Sequence, residues 1–555
     1  MRTKDLKEKI HQMKSIDSVR RDLLRMGSLG LAAASVPTIA MAEEVNRSSN
    51  SGQYLFDVRK YGATGNGKTV DSPAINKAIE AAAAAGGGTV VFPAGTYMSF
   101  SIRLKSNVHL YLGDGAMIQA ADSPKPGEAT GYDGGTYDAA EPNAAADHYE
   151  DYGHRHWHNS LIWGVGLHDI SITGPGKIWG KGLSNGTMGS RAGYQIFRAE
   201  QHGVGNKAIA LKDCHNVLLR DFWILKGGHF GLLLTGVDNL TIDNLMIDTD
   251  RDGMDIDCCQ NVRVTRCTVN SPWDDGICLK SSYALGYPRA TKNNTVDSCW
   301  VTGKFQLGTV LDGTFKPYPP DARMPFNGRI KCGTESNGGF INIAITNCVL
   351  EGCKGYALET VDGALLEDIA ISNTTMRDMV YPPLFLRLGA RLRGPKATTH
   401  PGKLRRVLIN NLDCYGAWPE FCSSFSGIPG YMIEDVKVSN IYVETLGGET
   451  KAVTQVPENI SGYPKPRMFG ETPAYGFFIR HLKNLEMSHV EIATRKPDVR
   501  PAFYLDDVER ADFFAITAPI KPGGAFSLHD VKDFRVGWSR ATPDKNLANA
   551  PDILL

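Results

Sequence analysis

The sequence predicts an all-β protein that folds as a parallel β-helix, with a short capping helix at its N-terminal end. The first observation is a repeat, because two Asp-Gly steps at Asp252 and Asp275, each followed by alternating residues, lie 23 residues apart. The second is that Asn-apolar steps recur at Asn216, Asn239 and Asn261, at spacings of 23 and 22 residues. A period of this length, with short alternating strands, is typical of one coil of a parallel β-helix.

The overall composition says more about the partners of the chain than about its fold. The chain has 555 residues, a formal net charge of zero and 22% charged residues. Without an excess of either charge, nothing predicts binding to nucleic acid or to an anionic membrane surface. The 11 cysteines include no CxxC pair. We therefore interpret them as small apolar residues inside the coils, and one disulfide stays an open alternative.

The N-terminus has the features of a targeting segment. Arg20 and Arg21 precede an apolar, uncharged run that ends with small residues at Ala42. This pattern is similar to a twin-arginine export signal with its cleavage site. We predict that residues 1–42 are removed on export by the twin-arginine machinery, and that residues 43–53 are a linker. The mature protein is then expected to be periplasmic or secreted, with no stable membrane anchor.

The next segment predicts the capping helix. Asp71 is placed at its N-cap and Pro73 in its first turn. The apolar positions that share one helical face are Ile75, Ala78, Ile79 and Ala82. Such a helix covers the open first coil of a solenoid. We expect one β-helix domain over residues 54–540, followed by a tail over residues 541–555.

Two segments with little periodicity, 122–152 and 304–325, predict long surface loops, the second close to the acidic coils. After the first loop, three histidines alternate within residues 154–158. An HxHxH pattern can hold a metal, but no other ligand set accompanies it. We interpret these residues as a sugar-binding strand on which Trp157 or the histidine row faces the substrate.

Three acidic residues predict an active site. Neighbouring coils are about 4.8 Å apart, so Asp252 and Asp275 would lie almost one above the other, with Asp274 beside them. Like charges this close raise each other's pKa and destabilise the fold. A structural role would leave this cost uncompensated. We therefore interpret the three acids as an active site.

These motifs resemble the polygalacturonase family, glycoside hydrolase family 28, whose members are pectin-degrading right-handed parallel β-helices. The segment that begins at Asp250, DRDGMD, resembles the family's N-T-D-G-[IF]-D, and DDGICLKS from Asp274 resembles D-D-C-[IV]-A-[IV]-K-S. The resemblance covers most of the mature chain. It implies that Asp274 is the general acid, that Asp252 and Asp275 activate the attacking water, and that the anomeric centre is inverted without a metal or other cofactor.

The chain departs from the family's pattern at two places. Aligned on the later segment GTESNGG, the histidine of the family's G-H-G falls on Gly328, with Asn327 as the nearest polar residue before it. The family's R-I-K, which holds a galacturonate carboxylate, falls on the Ala-Leu-Glu of 357–359. Arg329 and Lys331 appear one coil earlier instead, and strand alternation turns both charges to one side. We predict that they bind an acidic group of the substrate; a solvated face, and an alignment by raw spacing that takes them as the R-I-K itself, stay open.

The predicted substrate-binding residues are Arg329, Lys331, Lys280, Asn327, Glu359, His229 and Trp157. The leading hypothesis is an exported, exo-acting glycoside hydrolase on pectin-like or related acidic polysaccharide fragments, in which long loops block one end of the groove. A polysaccharide lyase on the same scaffold is one alternative, and its acidic cluster would hold calcium. A non-catalytic carbohydrate-binding solenoid is the other, and the presence of all three acids argues against it.

Overall fold

The computed structural model describes residues 54–151, 153–185, 201–319, 326–453, 455–520 and 523–555. The predicted export signal and linker lie outside the described residues. In the described part the chain forms a parallel β-helix, in which strands of successive coils pair in register along three faces. Because crossover connections between parallel strands are right-handed in about 98% of cases, the coils wind to the right. This confirms the predicted fold class.

The face that carries the candidate site is named the cleft sheet. Its parallel strands before the long C-terminal strands are Ile102–Arg103, Ser160–Val165, Lys207–Lys212, Phe230–Thr235, Asp252–Asp257, Ile277–Ser281, Ile330–Ser336, Tyr356–Thr360, Leu384–Leu388 and Ser423–Ser426.

The other two faces are built in the same way. The second sheet comprises Leu55–Asp57, Gly88–Phe92, Val108–Leu112, His168–Thr173, His215–Arg220, Asp238–Asp243, Gln260–Thr265, Thr291–Asp297 and Phe340–Thr346. The third sheet comprises Asn66–Val70, Gly95–Ser99, Ala116–Ala120, Lys177–Trp179, Trp223–Leu225, Met246–Asp248, Thr268–Asn270, Trp300–Thr302 and Val349–Glu351. Towards the C-terminus longer strands bend from one face to the next, namely Leu365–Arg377, Lys403–Ala417, Ile433–Gly447, Phe477–Lys496, Phe503–Phe514 and Phe526–Gly537.

The core is a set of stacked rows of apolar side chains inside the coils. On the cleft sheet, Ile209, Leu232, Met254, Ile277 and Ile330 occupy matching positions on successive strands and are fully buried. Because side chains alternate between the two sides of a strand, the residues between them point outward. The same alternation therefore forms the core and the outer surface that carries the candidate site.

The asparagines that revealed the period form a ladder along one edge. Asn216 has a left-handed backbone with a φ of 55°, which asparagine tolerates better than most residues. The Nδ2 of Asn239 donates to Oδ1 of Asn216 at 3.1 Å, and Asn261 donates to Asn239 in turn. The Asn spacing thus reports the coil length directly.

The predicted capping helix spans Ser72–Ala84, and its buried face includes the four predicted apolar residues. Asp71 is its N-cap residue, but its side chain does not cap the helix. The carboxylate instead accepts hydrogen bonds from the backbone N–H groups of Thr64 and Gly65, at 2.7 and 3.0 Å. The described part also contains short 3₁₀ helices at Val58–Tyr61, Ala145–Tyr149 and Pro466–Phe469.

The prediction of a C-terminal tail over residues 541–555 is wrong. Lys545–Leu554 is a strand that pairs antiparallel with Phe526–Gly537. The last coil of a solenoid presents unpaired backbone groups, and this strand pairs with that edge. The end of the domain is therefore part of the fold.

Two further predictions concern the cysteines and the histidine row. All 11 cysteines are buried and unpaired, which agrees with their interpretation as apolar residues of the coils. Residues 154–158 form turns and irregular structure, so the predicted histidine strand is wrong. Among the described residues, none of the helices combines the length and the apolar character that a transmembrane span requires.

Candidate active site

The three predicted catalytic aspartates lie together at the N-terminal ends of two neighbouring strands of the cleft sheet. Asp252 begins one strand, and Asp274 and Asp275 precede the next. The backbone N–H of Asp275 lies 3.2 Å from Oδ1 of Asp252 and 3.2 Å from Oδ1 of Asp274. One carboxylate oxygen of each residue lies within 4.8 Å of the other two. The structure therefore brings the predicted triad into one cluster.

Asp275 is bound by two cations of the following strand. Arg329 Nε donates to Oδ1 at 2.6 Å and Lys331 Nζ donates to Oδ2 at 2.7 Å. Although burial opposes ionisation, these two charges hold the pKa of Asp275 well below its usual range. All three residues are buried. The prediction that Arg329 and Lys331 bind an acidic group of the substrate is corrected, because both charges are already paired with a carboxylate of the protein.

Asp252 has the opposite electrostatic environment. Burial raises its pKa well above the usual range, and the neighbouring carboxylates Asp274 and Asp255 raise it further. The cluster thus combines an ionised carboxylate at Asp275 with a carboxyl at Asp252 that favours its protonated form. Asp274 is the most accessible of the three, with 27% of its side chain exposed.

Arg251 links Asp274 to His229 on the preceding coil. Its Nη2 lies 3.1 Å from Oδ2 of Asp274 and 3.1 Å from Nε2 of His229. Burial and the charge of Arg251 hold the pKa of His229 well below its usual range, so the neutral ring accepts this hydrogen bond. Nδ1 of His229 has no partner among the described residues, and the predicted contact with a substrate stays a prediction.

Lys280 belongs to an internal network instead of a substrate contact. Its Nζ donates to Glu335 Oε2 at 2.8 Å and lies 3.6 Å from Asp255 Oδ2. His154 Nε2 lies 3.6 Å from the same oxygen of Asp255. Lys280 is buried, so its predicted role in substrate binding is corrected to neutralising these two acids.

Two more of the predicted substrate-binding residues are enclosed. Trp157 is 2% exposed, and its Nε1 donates to Thr235 Oγ1 at 3.1 Å. Glu359 is 0% exposed, and Arg329 Nη1 lies 3.6 Å from its Oε1. Burial raises the pKa of Glu359. Neither side chain reaches the surface of the cleft, so both predictions are corrected.

Asn327 and Gly328 lie beside the triad. The backbone N–H of Gly328 donates to the carbonyl of Asp274 at 2.7 Å. The side-chain oxygen of Asn327 is buried without a partner among the described residues, so its predicted contact with a substrate also stays a prediction. Gly328 has a φ of 71°, and a Cβ there would lie 2.3 Å from the carbonyl oxygen of Thr302. A histidine at this position would require the backbone to move.

Two apolar clusters enclose the cleft sheet on either side of the triad. One outward row runs along successive strands through Leu233, Asp255, Cys278, Lys331 and Ala357. The N-terminal cover packs on Leu233 and consists of Trp157, Ala210, Phe230, Leu233 and Ala284. The C-terminal cover packs on Ala357 and consists of Ala357, Phe385, Cys422, Met468, Phe469, Ala474 and Phe478.

Residues 456–459, which pack against the C-terminal cover through Val456, are held by two buried arginines. Arg387 donates to the carbonyls of Glu458 and Asn459, and Arg480 donates to those of Val456 and Pro457. Tyr463 follows these residues in the chain, and its hydroxyl lies 3.0 Å from Thr334 Oγ1 on the strand Ile330–Ser336.

Sequence reasoning missed Arg251 and the whole C-terminal cover. Arg251 lies inside the DRDGMD motif, and its position next to Asp252 could have predicted that it belongs to the site. The members of the cover outside the strands are Cys422, Met468, Phe469 and Ala474, and they lie far beyond the triad in segments without periodicity, so nothing local marked them. The described part of the loop at 304–325 packs on the residue before Asp274, with the ring centroids of Tyr318 and Trp273 5.8 Å apart.

Two family models match parts of the chain. "Rhamnogalacturonase A/epimerase, pectate lyase-like" matches residues 55–146, and "Right handed beta helix region" matches residues 207–378. A "Probable polygalacturonase" of Vitis vinifera is 23% identical over 434 residues, which cover 72% of this chain and 76% of that protein. An exo-poly-alpha-D-galacturonosidase of Dickeya chrysanthemi is 24% identical over 369 residues, which cover 60% of this chain and 57% of that protein.

A solved structure shows the same fold. The family 28 exopolygalacturonase of Yersinia enterocolitica superposes with a TM-score of 0.58 at 18% identity, over 84% of this chain and 79% of that chain. This likeness agrees with the arrangement of strands described above.

Proposed function

We propose that this chain, a polygalacturonase-like right-handed β-helix and glycoside hydrolase, cleaves glycosidic bonds at the ends of pectin-related acidic chains with inversion of the anomeric centre. The observation that carries the proposal is the pairing of an ionised Asp275 with a protonation-prone Asp252 beside an accessible Asp274. Glycosidic cleavage needs a proton donor and an ionised carboxylate at one site.

The roles follow from exposure and charge. We assign the proton donor to Asp274, because its carboxyl is the most exposed of the three and its position matches the general acid of the family's motif. Asp275, held ionised by Arg329 and Lys331, and Asp252 orient the attacking water. Because the cations fix both oxygens of Asp275, the negative charge is in place before substrate arrives.

The separation of the carboxyl groups favours retention at the anomeric centre, whereas their charges and contacts favour inversion. Oxygens within 4.8 Å are closer than the ~6.5–9.5 Å between carboxyl groups that is usual for inverting enzymes. We nevertheless propose inversion, because both oxygens of Asp275 are occupied and Asp252 favours its neutral form, so neither is suited to covalent attack. Proton NMR of the first anomer formed decides between the two outcomes.

The two covers support action at chain ends. Only three strands of the cleft row separate Leu233 from Ala357, which places the covers about 19 Å apart at the usual spacing of strands. A groove this short accommodates a chain end or a short oligosaccharide, whereas attack inside a polymer needs a groove that is open at both ends.

The proposal is tested by incubating the mature protein with polygalacturonate and with its short oligomers. We expect new reducing ends, small products from the first time point and a preference for oligomers. An unsaturated product would instead support the lyase on the same scaffold. Binding without any cleavage would support the non-catalytic solenoid.

A further inference from the structure

We propose that Lys354 supplies the positive charge that recognises the uronate carboxylate of the substrate, with Arg467 as a second cation beside it. This inference rests on the proposed function and names the specificity-determining residue of that site.

The need for another cation follows from the geometry of the triad. Arg329 and Lys331 are both paired with Asp275. Positions 357 and 359 hold alanine and a buried glutamate. An acidic substrate thus finds no available positive charge on these two strands of the cleft sheet.

Lys354 occupies the same turn as the catalytic acids, two coils further along. Ile277 pairs with Ile330, and Ile330 pairs with Tyr356. Asp275, Gly328 and Lys354 each stand two residues before these strand positions. Gly328 places no side chain between Asp275 and Lys354 in this column, since the backbone of Thr302 already occupies the position that a Cβ there would take.

The surroundings of Lys354 are those of a binding group. Its Nζ lies 4.8 Å from the ring centroid of Tyr381, and the guanidinium of Arg467 lies 5.9 Å from the same ring. Lys354 is half-buried and forms no ion pair with an acid of the described residues. The ring of Tyr381 thus holds two cations side by side, and together they supply the charge and the N–H donors that a carboxylate requires.

By this register the backbone of Lys354 lies two strand spacings, about 10 Å, from that of Asp275. Burial lowers the pKa of Lys354 to about 8, and Arg329 and Lys331 lower it while Asp275 and Asp274 raise it. A carboxylate bound at this place would favour the charged lysine and would be held by charge-assisted hydrogen bonds.

The experiment measures binding and turnover of digalacturonate and of its methyl ester by the mature protein. In the Lys354→Met variant we expect KM for the acid to rise at least about tenfold. KM for the ester and kcat should change little. Lys354→Arg should keep most of the affinity, and Lys437→Met is a matched control, because that lysine is exposed and pairs with Glu486 on the second sheet.

Two additional readouts separate recognition from folding and from catalysis. Calorimetric binding to the Asp274→Asn protein should show the same loss in the Lys354→Met background, with an unchanged melting temperature. Affinity for the acid should fall above pH 8 in the parent protein and persist in the Lys354→Arg variant, because arginine stays charged.

Equal losses for acid and ester, or no loss for either, would overturn the proposal for Lys354. Absence of cleavage with intact, Lys354-dependent binding would overturn the proposed function but not this inference.

Discussion

Arg329 and Asp275 are separated by 54 residues in the chain, yet Arg329 Nε lies 2.6 Å from Asp275 Oδ1 across two neighbouring coils. Both are buried, and Lys331 holds the other oxygen. The pair is therefore an internal part of the proposed catalytic centre, in which a cation fixes the charge and the orientation of the Asp275 carboxylate.

Removing one partner of this pair should destabilise the protein. Arg329→Met leaves Asp275 partly uncompensated, and breaking a buried ion pair costs about 3–5 kcal/mol. Denaturant unfolding should show this loss, and Asp275→Asn combined with Arg329→Met should recover part of the stability but no activity. Unchanged stability with a selective loss of acidic-substrate binding would restore the original role of Arg329 as a substrate ligand.

Substrates that differ in their leaving group can identify the proton donor. Asp274→Asn should lower kcat on natural oligomers by roughly 10²–10⁴-fold, because it removes the general acid, while folding is retained. An aryl galacturonide with a good leaving group needs no protonation and should recover most of the rate in this variant. Recovery in Asp252→Asn instead would assign the donor to Asp252, whose pKa is raised.

Chelation should not affect the reaction. Three carboxylates lie within reach of one ion, but Arg329 and Lys331 already neutralise Asp275 and weaken its affinity for a cation. We expect the same rate before and after treatment with a chelator. Loss of activity that calcium restores would favour the lyase.

Stability should depend on pH through Glu150. Burial raises its pKa to about 8, and its carboxylate oxygens have no hydrogen-bond partner among the described residues. Because the folded-state pKa is raised, the unfolded chain releases the proton first, and stability is lost as pH rises from about 4.5 to about 8. Glu150→Gln should match the parent at pH 4 and exceed its free energy of unfolding by a few kcal/mol at pH 8. Parallel stability curves would contradict this assignment.

Processing of the N-terminus is tested by mass spectrometry of the exported protein. We expect Glu43 at or near the mature N-terminus, because Arg20, Arg21 and the apolar run are similar to an export signal. Replacing both arginines by lysine should block export through the twin-arginine machinery. An intact Met1 on a cytoplasmic pool would contradict the prediction.

The sequence by itself determined the coil and the triad. A period of 22 to 23 residues is the length of one coil. Residues separated by one period therefore lie one above the other on neighbouring coils, and matching motif positions become neighbours. For this reason Asp252, Asp274 and Asp275 were predictable as a cluster. The capping helix was predictable too, since its apolar face follows a helical period.

Only the tertiary structure decided what the cations and aromatic residues contact. Alternation predicted that Arg329 and Lys331 share a side of the strand, but not that Asp275 would occupy both of them. Trp157 and the irregular part of the C-terminal cover, with Met468 and Phe469, come from segments without periodicity, and their positions depend on packing against distant coils. The structure of a periodic segment follows from its local sequence pattern. The contacts of irregular segments and of charged side chains depend on which residues the folded coils bring next to them.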